Sequence, residues 1–117
     1  MPMTFDVRNR NVTVVGAGRS GGPAAELLVS RGAIVTLADT AATIAREADY
    51  AALGIRLELG PHRAEQFTRA DLLVLSPGVD PLQPAVAHAR RAGVPVIGEV
   101  ELASRWLRNR KSTRLNS

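Results

Sequence analysis

Short apolar runs recur along the chain at intervals that suit the strands of a sheet. Each run holds three to five residues, is rich in β-branched side chains, and is mostly continuous rather than alternating in polarity. Continuous apolar strands are typical of a parallel sheet that is buried on both faces. The pattern therefore predicts five parallel strands, at residues 12–15, 34–38, 56–59, 72–75 and 95–97.

The segments between these runs carry apolar residues at helical spacing. Strands that alternate with helices form right-handed βαβ units, which place helices on both faces of a parallel sheet. The sequence thus predicts an α/β fold, a Rossmann-like three-layer domain with a parallel sheet of about five strands and helices on both faces. The predicted helices are residues 23–31, 43–53 and 84–92, with a single short turn at 64–68.

Glycine and proline mark the ends of the predicted helices. Gly32, Gly54 and Gly93 each follow a helical segment, where glycine commonly ends a helix in the left-handed conformation. Pro23 falls in the first turn of its helix, where the missing N–H has no partner to lose. These residues support the predicted helix boundaries.

The composition limits the chain to a single globular domain. It has 117 residues, of which 45% are apolar and 22% are charged. There is no cysteine, and His62 and His88 lack ligand spacing, so the sequence predicts no metal site. No apolar run approaches the roughly 20 residues that span a bilayer, and no signal peptide is evident. We expect a cytoplasmic domain without membrane contact.

The net charge of +4 does not indicate nucleic-acid binding. Five basic residues lie in 105–117, which contains no acid, so the remainder has ten basic and eleven acidic residues, a net charge of −1. Aromatic residues that could stack on bases are few, with two Phe, one Tyr and one Trp. The basic character belongs to the C-terminal tail, and no nucleic-acid partner is predicted.

A glycine motif follows the first predicted strand and precedes the first predicted helix. Gly16-Ala17-Gly18-Arg19-Ser20-Gly21 is a G-x-G-x-x-G sequence in the context that this motif requires. Its glycines permit a tight turn and close approach of a ligand, while free N–H groups and the helix dipole favour an anion. The alternative is a glycine turn that only packs.

Polar residues follow three of the other predicted strands. Asp39-Thr40 ends the second strand, where a carboxylate can reach a ribose hydroxyl or a base edge, or can cap the next helix. Ser76-Pro77-Gly78 exposes backbone at the carboxyl edge of the sheet, where ligands bind in such folds. Capping alone explains Glu99 and Glu101 after the fifth strand.

No arrangement in the chain suggests a catalytic group. The sequence contains neither a Ser/His/Asp pattern nor a pair of carboxylates suited to acid–base chemistry. We expect His62 and His88 to be exposed to solvent or satisfied by hydrogen bonds.

Four segments together resemble the N-terminal domain of the Mur ligases. They are Val-Thr-Val-Val-Gly-Ala-Gly-Arg-Ser-Gly, Leu-Ala-Asp-Thr, Leu-Val-Leu-Ser-Pro-Gly-Val and Val-Ile-Gly-Glu-Val-Glu-Leu-Ala. The resemblance covers about residues 7–108 and is strongest to the MurD-type members, which add D-glutamate to UDP-N-acetylmuramoyl-L-alanine in peptidoglycan biosynthesis. It implies that the glycine loop holds a uridine diphosphate rather than a dinucleotide.

The resemblance also implies which residues contact this substrate. The loop residues Gly18, Arg19, Ser20 and Gly21 would contact the diphosphate and the uracil. Asp39 and Thr40 would hold the uracil and ribose side, and the turn of Ser76, Pro77 and Gly78 would close over the nucleotide.

The family further implies that this chain holds only one part of a ligase. Its members continue into a central ATPase domain, which uses ATP and Mg²⁺, and a C-terminal domain that binds the D-amino acid. We therefore expect a substrate-binding domain at 1–108, a disordered tail or truncation scar at 109–117, and no catalytic residue or cofactor here. Two alternatives are an NAD(P)- or FAD-binding domain of an oxidoreductase or regulatory protein, and an α/β fragment without a ligand.

Overall fold

A computed structural model describes residues 6–17 and 21–105 of the chain. Within them a five-stranded sheet is parallel throughout, in the order β3-β2-β1-β4-β5. Every predicted strand is present within one residue of its expected bounds, which confirms the predicted sheet. The strands are β1 (Asn11–Val15), β2 (Ile34–Asp39), β3 (Arg56–Leu59), β4 (Leu72–Leu75) and β5 (Val96–Gly98).

Four helices connect the strands, and residues 99–105 are helical after β5. Three of the connecting helices lie close to their predicted positions, and Pro23 falls within the first turn of its helix as expected. The helices are α1 (Gly21–Ser30), α2 (Glu47–Ala52), α3 (Ala64–Thr68) and α4 (Pro84–Arg91).

The helix predicted for residues 43–53 is shorter than expected. Arg46 has a φ of 65°, in the left-handed region, so no α-helix continues through it toward residue 43. Glu47 instead folds back, and its carboxylate accepts the N–H of Ile44 at 2.9 Å. The residues between β2 and α2 therefore form a loop at the carboxyl edge of the sheet.

Two apolar clusters pack on opposite faces of the sheet. Alternate residues of each strand point to opposite faces, so Val12 and Val14 belong to one cluster and Val15 to the other. The first cluster includes residues of α1, α2 and the helical segment 99–105, and the second includes residues of α3 and α4. This packing confirms the three-layer α/β architecture.

The glycines predicted to end helices have the expected conformation. Gly32, Gly54 and Gly93 have φ values of 89°, 85° and 94°, which L-residues with a side chain rarely adopt. Each lies between a helix and the strand that follows it. Among the residues that the structure describes, no helix has the length and apolar character needed to cross a membrane.

The second apolar cluster should dominate the stability of the α3/α4 face. Phe67 has no exposed surface, and Phe67→Ala is expected to lower the free energy of unfolding by about 3–5 kcal/mol because it leaves a cavity. The control Leu82→Ala alters a side chain that is 78% exposed and should change stability by less than about 0.5 kcal/mol. Urea denaturation followed by circular dichroism measures both; equal effects would contradict the described packing.

Candidate functional site

The carboxyl ends of the parallel strands meet at one edge of the sheet and surround a cavity. Its volume is about 490 Å³, and it lies where the strand order reverses between β1 and β4. Ligands of open α/β sheets bind at this position. The cavity is lined by Gly16, Asp39, Thr40, His62, Ser76, Pro77, Gly78, Val79, Asp80 and Gln83.

The structure brings together five of the nine residues singled out from the sequence. Asp39 and Thr40 line the cavity with the turn formed by Ser76, Pro77 and Gly78. Gly21 is the first residue of α1. The remaining three, Gly18, Arg19 and Ser20, lie outside the described residues, between the end of the β1 turn and the start of α1.

The carboxylate of Asp39 holds the backbone on both sides of the cavity edge. Its Oδ2 accepts the N–H of Ala17 at 2.8 Å, and its Oδ1 accepts the N–H of Ala41 at 2.8 Å. The suggestion that Asp39 caps the next helix is wrong, because α2 begins at Glu47, eight residues later. Hydrogen bonds to a carboxylate are among the stronger ones, so Asp39 fixes the backbone at Ala17 to the end of β2.

The hydroxyl of Ser76 holds the same turn from the other side. Its Oγ lies 2.5 Å from the carbonyl oxygen of Gly16 and 2.7 Å from Oε2 of Glu99. A hydroxyl has one proton to donate, so the two oxygens compete for the same donor. Ser76 is only 7% exposed, and its contacts join the carboxyl ends of β1, β4 and β5.

Glu99 has a larger part in the site than helix capping, which the sequence suggested for it. Its carboxylate contacts the Ser76 hydroxyl, whereas the carboxylate of Glu101 pairs with Arg105 at 2.8 Å on the helix surface. Both acids stand near the start of one helix, but Glu101 has a basic residue four positions later, at Arg105. The partner of Glu99 is instead supplied by the turn after β4, which lies beside β5.

Gly16 has no space for a side chain. A Cβ at this residue would lie 2.7 Å from Cγ2 of Val79 and 3.1 Å from Cβ of Ser76, and the backbone φ is +94°. Glycine is therefore required both by conformation and by the approach of the β4 turn. By contrast, Gly78 is exposed, and a Cβ there would meet no heavy atom within 4 Å.

His62 enters the site from the loop between β3 and α3. It is half-buried and lines the cavity, and its ring centroid lies 5.1 Å from that of Phe67. Its Nδ1 is buried without a hydrogen-bond partner among the described residues, so the expectation of an exposed or satisfied histidine is wrong. Burial lowers the pKa of His62, and the nearby Asp39 opposes this shift. The sequence analysis did not single out His62 as a site residue, although its position shortly after a predicted strand could have indicated it.

A second cavity of about 390 Å³ lies beside Asp39 and Ala17, toward α1 and α2. One wall is the guanidinium of Arg46, which pairs with Glu26 at 3.2 Å and Asp49 at 3.3 Å and lies 5.3 Å from the Tyr50 ring centroid. The hydrogen bond to Asp49 and the charge of Glu26 raise the pKa of Arg46, so its guanidinium stays charged and is paired with two carboxylates. The wall therefore offers little free positive charge to an anion.

Comparison with known proteins assigns the domain to a family. The family model described as "Mur ligase MurD-like, N-terminal domain" matches residues 10–98. The chain belongs to this family. The match begins one residue before β1 and ends with β5, so it covers the whole parallel sheet and every residue that lines the cavity. The resemblance noted from the sequence is thereby confirmed.

Curated relatives carry the name UDP-N-acetylmuramoylalanine--D-glutamate ligase. Those of Desulfatibacillum aliphaticivorans and Anaeromyxobacter dehalogenans (strain 2CP-C) are 44% and 47% identical over 106 and 104 residues. The alignments cover 88% and 87% of this chain, but 24% and 22% of the relatives. The chain thus spans about a quarter of the length of the ligases it matches.

Solved structures share the fold. The ligase MurC from Thermotoga maritima matches with a TM-score of 0.71 and 26% identity, over 86% of this chain and 23% of that one. Dipicolinate synthase, A chain, from Bacillus subtilis matches with a TM-score of 0.62 and 16% identity, over 82% of this chain and 39% of that one. The second likeness concerns the fold alone, and both agree with the Rossmann-like architecture.

The space around Gly16 can be tested with a matched pair of variants. Gly54→Ala introduces left-handed strain in open space and should cost about 1–2 kcal/mol of stability. Gly16→Ala has similar strain plus overlap with Val79 and Ser76, and should cost about 1–3 kcal/mol more. Urea denaturation of both variants measures the difference; equal losses would mean that the β4 turn does not press on Gly16.

Proposed function

We propose that this domain binds UDP-N-acetylmuramoyl-L-alanine as the substrate domain of an ATP-dependent ligase that adds D-glutamate during peptidoglycan biosynthesis. The family match and the names of the relatives support this function. The observation that carries it is the cavity between the end of β2 and the turn after β4, at the switch point of the sheet. Its volume of about 490 Å³ suits part of a nucleotide-sized ligand.

The ligand would run from the cavity toward the start of α1. Asp39 and Thr40 would hold the uracil and ribose, and the turn of residues 76–78 would close over them. The diphosphate would lie against Gly18, Arg19, Ser20 and Gly21, where helix N–H groups and the positive end of the helix dipole favour an anion. A guanidinium at Arg19 could add a charge-assisted hydrogen bond to a phosphate.

Asp39 would act on the ligand through the backbone as well as directly. Both of its oxygens already accept a backbone N–H, and a carboxylate oxygen can accept more than one hydrogen bond. A ribose hydroxyl could therefore bind Asp39 without displacing Ala17 or Ala41. The glycine turn would then stay in place when the ligand binds, which lowers the ordering cost of binding.

This domain would bind substrate but perform no chemistry by itself. ATP and Mg²⁺ would act in the full-length ligase, with the central and C-terminal domains as partners. The residues described here do not suit a metal, since no three His, Cys, Asp or Glu side chains among them are grouped to hold one. We further propose that the domain extends over residues 1–108, that 109–117 form a tail, and that the protein acts in the cytoplasm.

Calorimetric titration at fixed salt concentration tests the proposal. UDP-N-acetylmuramoyl-L-alanine and UDP should bind to the 117-residue chain, whereas NAD should not. Preference for NAD would favour the alternative of a dinucleotide-binding domain, for which a carboxylate after β2 is also typical. Absence of binding by all three compounds would contradict the proposed function of this domain.

A variant can block the cavity without disturbing the fold. Gly78→Phe places a ring where a Cβ meets no neighbour within 4 Å and where φ is not in the left-handed region. It should weaken UDP binding at least tenfold, about 1.4 kcal/mol, with little change in thermal stability. The control Leu53→Phe alters an exposed residue after α2, away from the cavity, and should leave binding unchanged.

A further inference from the structure

The imidazole of His62 has one nitrogen that faces the protein and one that does not. Nδ1 is buried and has no partner among the residues that the structure describes. Nε2 is not among the buried unpartnered atoms, and no described hydrogen bond involves it. A ring nitrogen that is neither buried nor hydrogen-bonded is accessible, so Nε2 is the nitrogen of His62 that a ligand can reach.

Burial of Nδ1 determines where the proton of the ring resides. Either tautomer leaves Nδ1 without a partner, but a buried N–H donor without an acceptor is rarer in proteins than a buried acceptor without a donor. A proton on both nitrogens would add a buried charge to the unpaired donor, and burial indeed lowers the pKa of His62. The favoured form is therefore the neutral ring with its proton on Nε2, which acts there only as a hydrogen-bond donor.

The surroundings hold this donor in one orientation. The ring packs against Phe67, which is fully buried in the cluster beneath α3 and α4. Pro61 restricts the backbone directly before His62. A donor that is already oriented gains more from a ligand acceptor than a mobile one, because less conformational entropy is lost on binding.

The strand order determines which part of a nucleotide His62 would meet. β3 is the outermost strand on its side of the sheet, and β2 separates it from the glycine turn of β1. With the diphosphate at the start of α1 and the ribose near Asp39, the base would extend toward the loop that carries His62. The edge of a pyrimidine farthest from its ribose bears a carbonyl oxygen in uracil and an amino group in cytosine.

We propose that His62 is a specificity-determining residue whose Nε2–H donates a hydrogen bond to the carbonyl oxygen of uracil on that far edge. This role rests on the proposed function, since it requires a uridine nucleotide in the cavity. In cytosine the amino group, itself a donor, would face the N–H of His62, so neither donor would have an acceptor. Mismatched donors of this kind discriminate more strongly than a lost apolar contact does.

The test compares UDP with CDP for the wild type and three variants of the 117-residue chain. His62→Phe keeps a ring against Phe67 but removes the donor, whereas His62→Gln keeps an N–H near the Nε2 position. His88→Phe changes the exposed histidine of α4 and serves as the matched control. Calorimetry gives the dissociation constants, and thermal unfolding checks that each variant is folded.

The wild type should bind UDP about tenfold more tightly than CDP, as one well-formed hydrogen bond allows. His62→Phe should weaken UDP binding about five- to tenfold and CDP binding little. The ratio of the CDP dissociation constant to the UDP dissociation constant should therefore fall toward one. His62→Gln should retain part of the preference, and His88→Phe should retain all of it. Nitrogen-15 shifts of the free domain should report the Nε2–H tautomer.

Several results would overturn the inference. Equal binding of UDP and CDP by the wild type, an unchanged preference in His62→Phe, or an Nδ1–H tautomer would each contradict the role of His62 while leaving the proposed function intact. Failure of the wild type to bind UDP would contradict the proposed function, and with it this inference. If His62→Phe does not fold, His62→Gln and the tautomer decide the outcome.

Discussion

The turn after β1 is held between two side chains that come from neighbouring strands. The carboxylate of Asp39, at the end of β2, accepts the N–H of Ala17, and the hydroxyl of Ser76, after β4, lies against the carbonyl of Gly16. The N–H and the C=O of the single peptide group that joins Gly16 to Ala17 are thereby both bound, on opposite sides. Hydrogen bonds to carboxylates are strong and the Ser76 contact is buried, so this peptide group is held at both of its polar atoms. Gly16, Asp39 and Ser76, which supply or hold this peptide group, all line the cavity.

Asp39 and Ser76 can both reach this peptide group because the strands of the sheet are parallel and in register. β1 pairs with β2 on one side and with β4 on the other, so Val15 lies opposite Ala38 and Leu75. Asp39 and Ser76 are the next residues along those two strands and therefore flank the next residue of β1, which is Gly16. The apolar clusters on both faces keep the strands in this register, since a shift of one residue would exchange buried and exposed side chains.

The same geometry links the cavity to the chain that follows β5. Ser76 contacts Glu99, the first residue of the helical segment 99–105, so the hydroxyl that holds the glycine turn also contacts that segment. The relatives are about four times as long as the segment they share with this chain. His62 extends the cavity on the opposite side, toward β3.

The amino-acid sequence by itself determined the strands, most helix ends and the group of polar residues at the strand ends. Apolar periodicity, glycine caps and turn residues act between neighbours in sequence, so they can be recognised without knowledge of the fold. The helix predicted at 43–53 is an exception, because Arg46 adopts a left-handed conformation and the helix begins only at Glu47.

Only the tertiary structure decided which of those polar residues meet. Ser76 contacts Gly16 across 60 residues of sequence and Glu99 across 23, whereas Glu101 pairs locally with Arg105, four residues later. The half-buried state of His62 likewise depends on packing against Phe67 and on the position of β3 beside β2. Contacts between strand ends follow from strand order and register, and these are set by packing of the whole sheet rather than by any one segment.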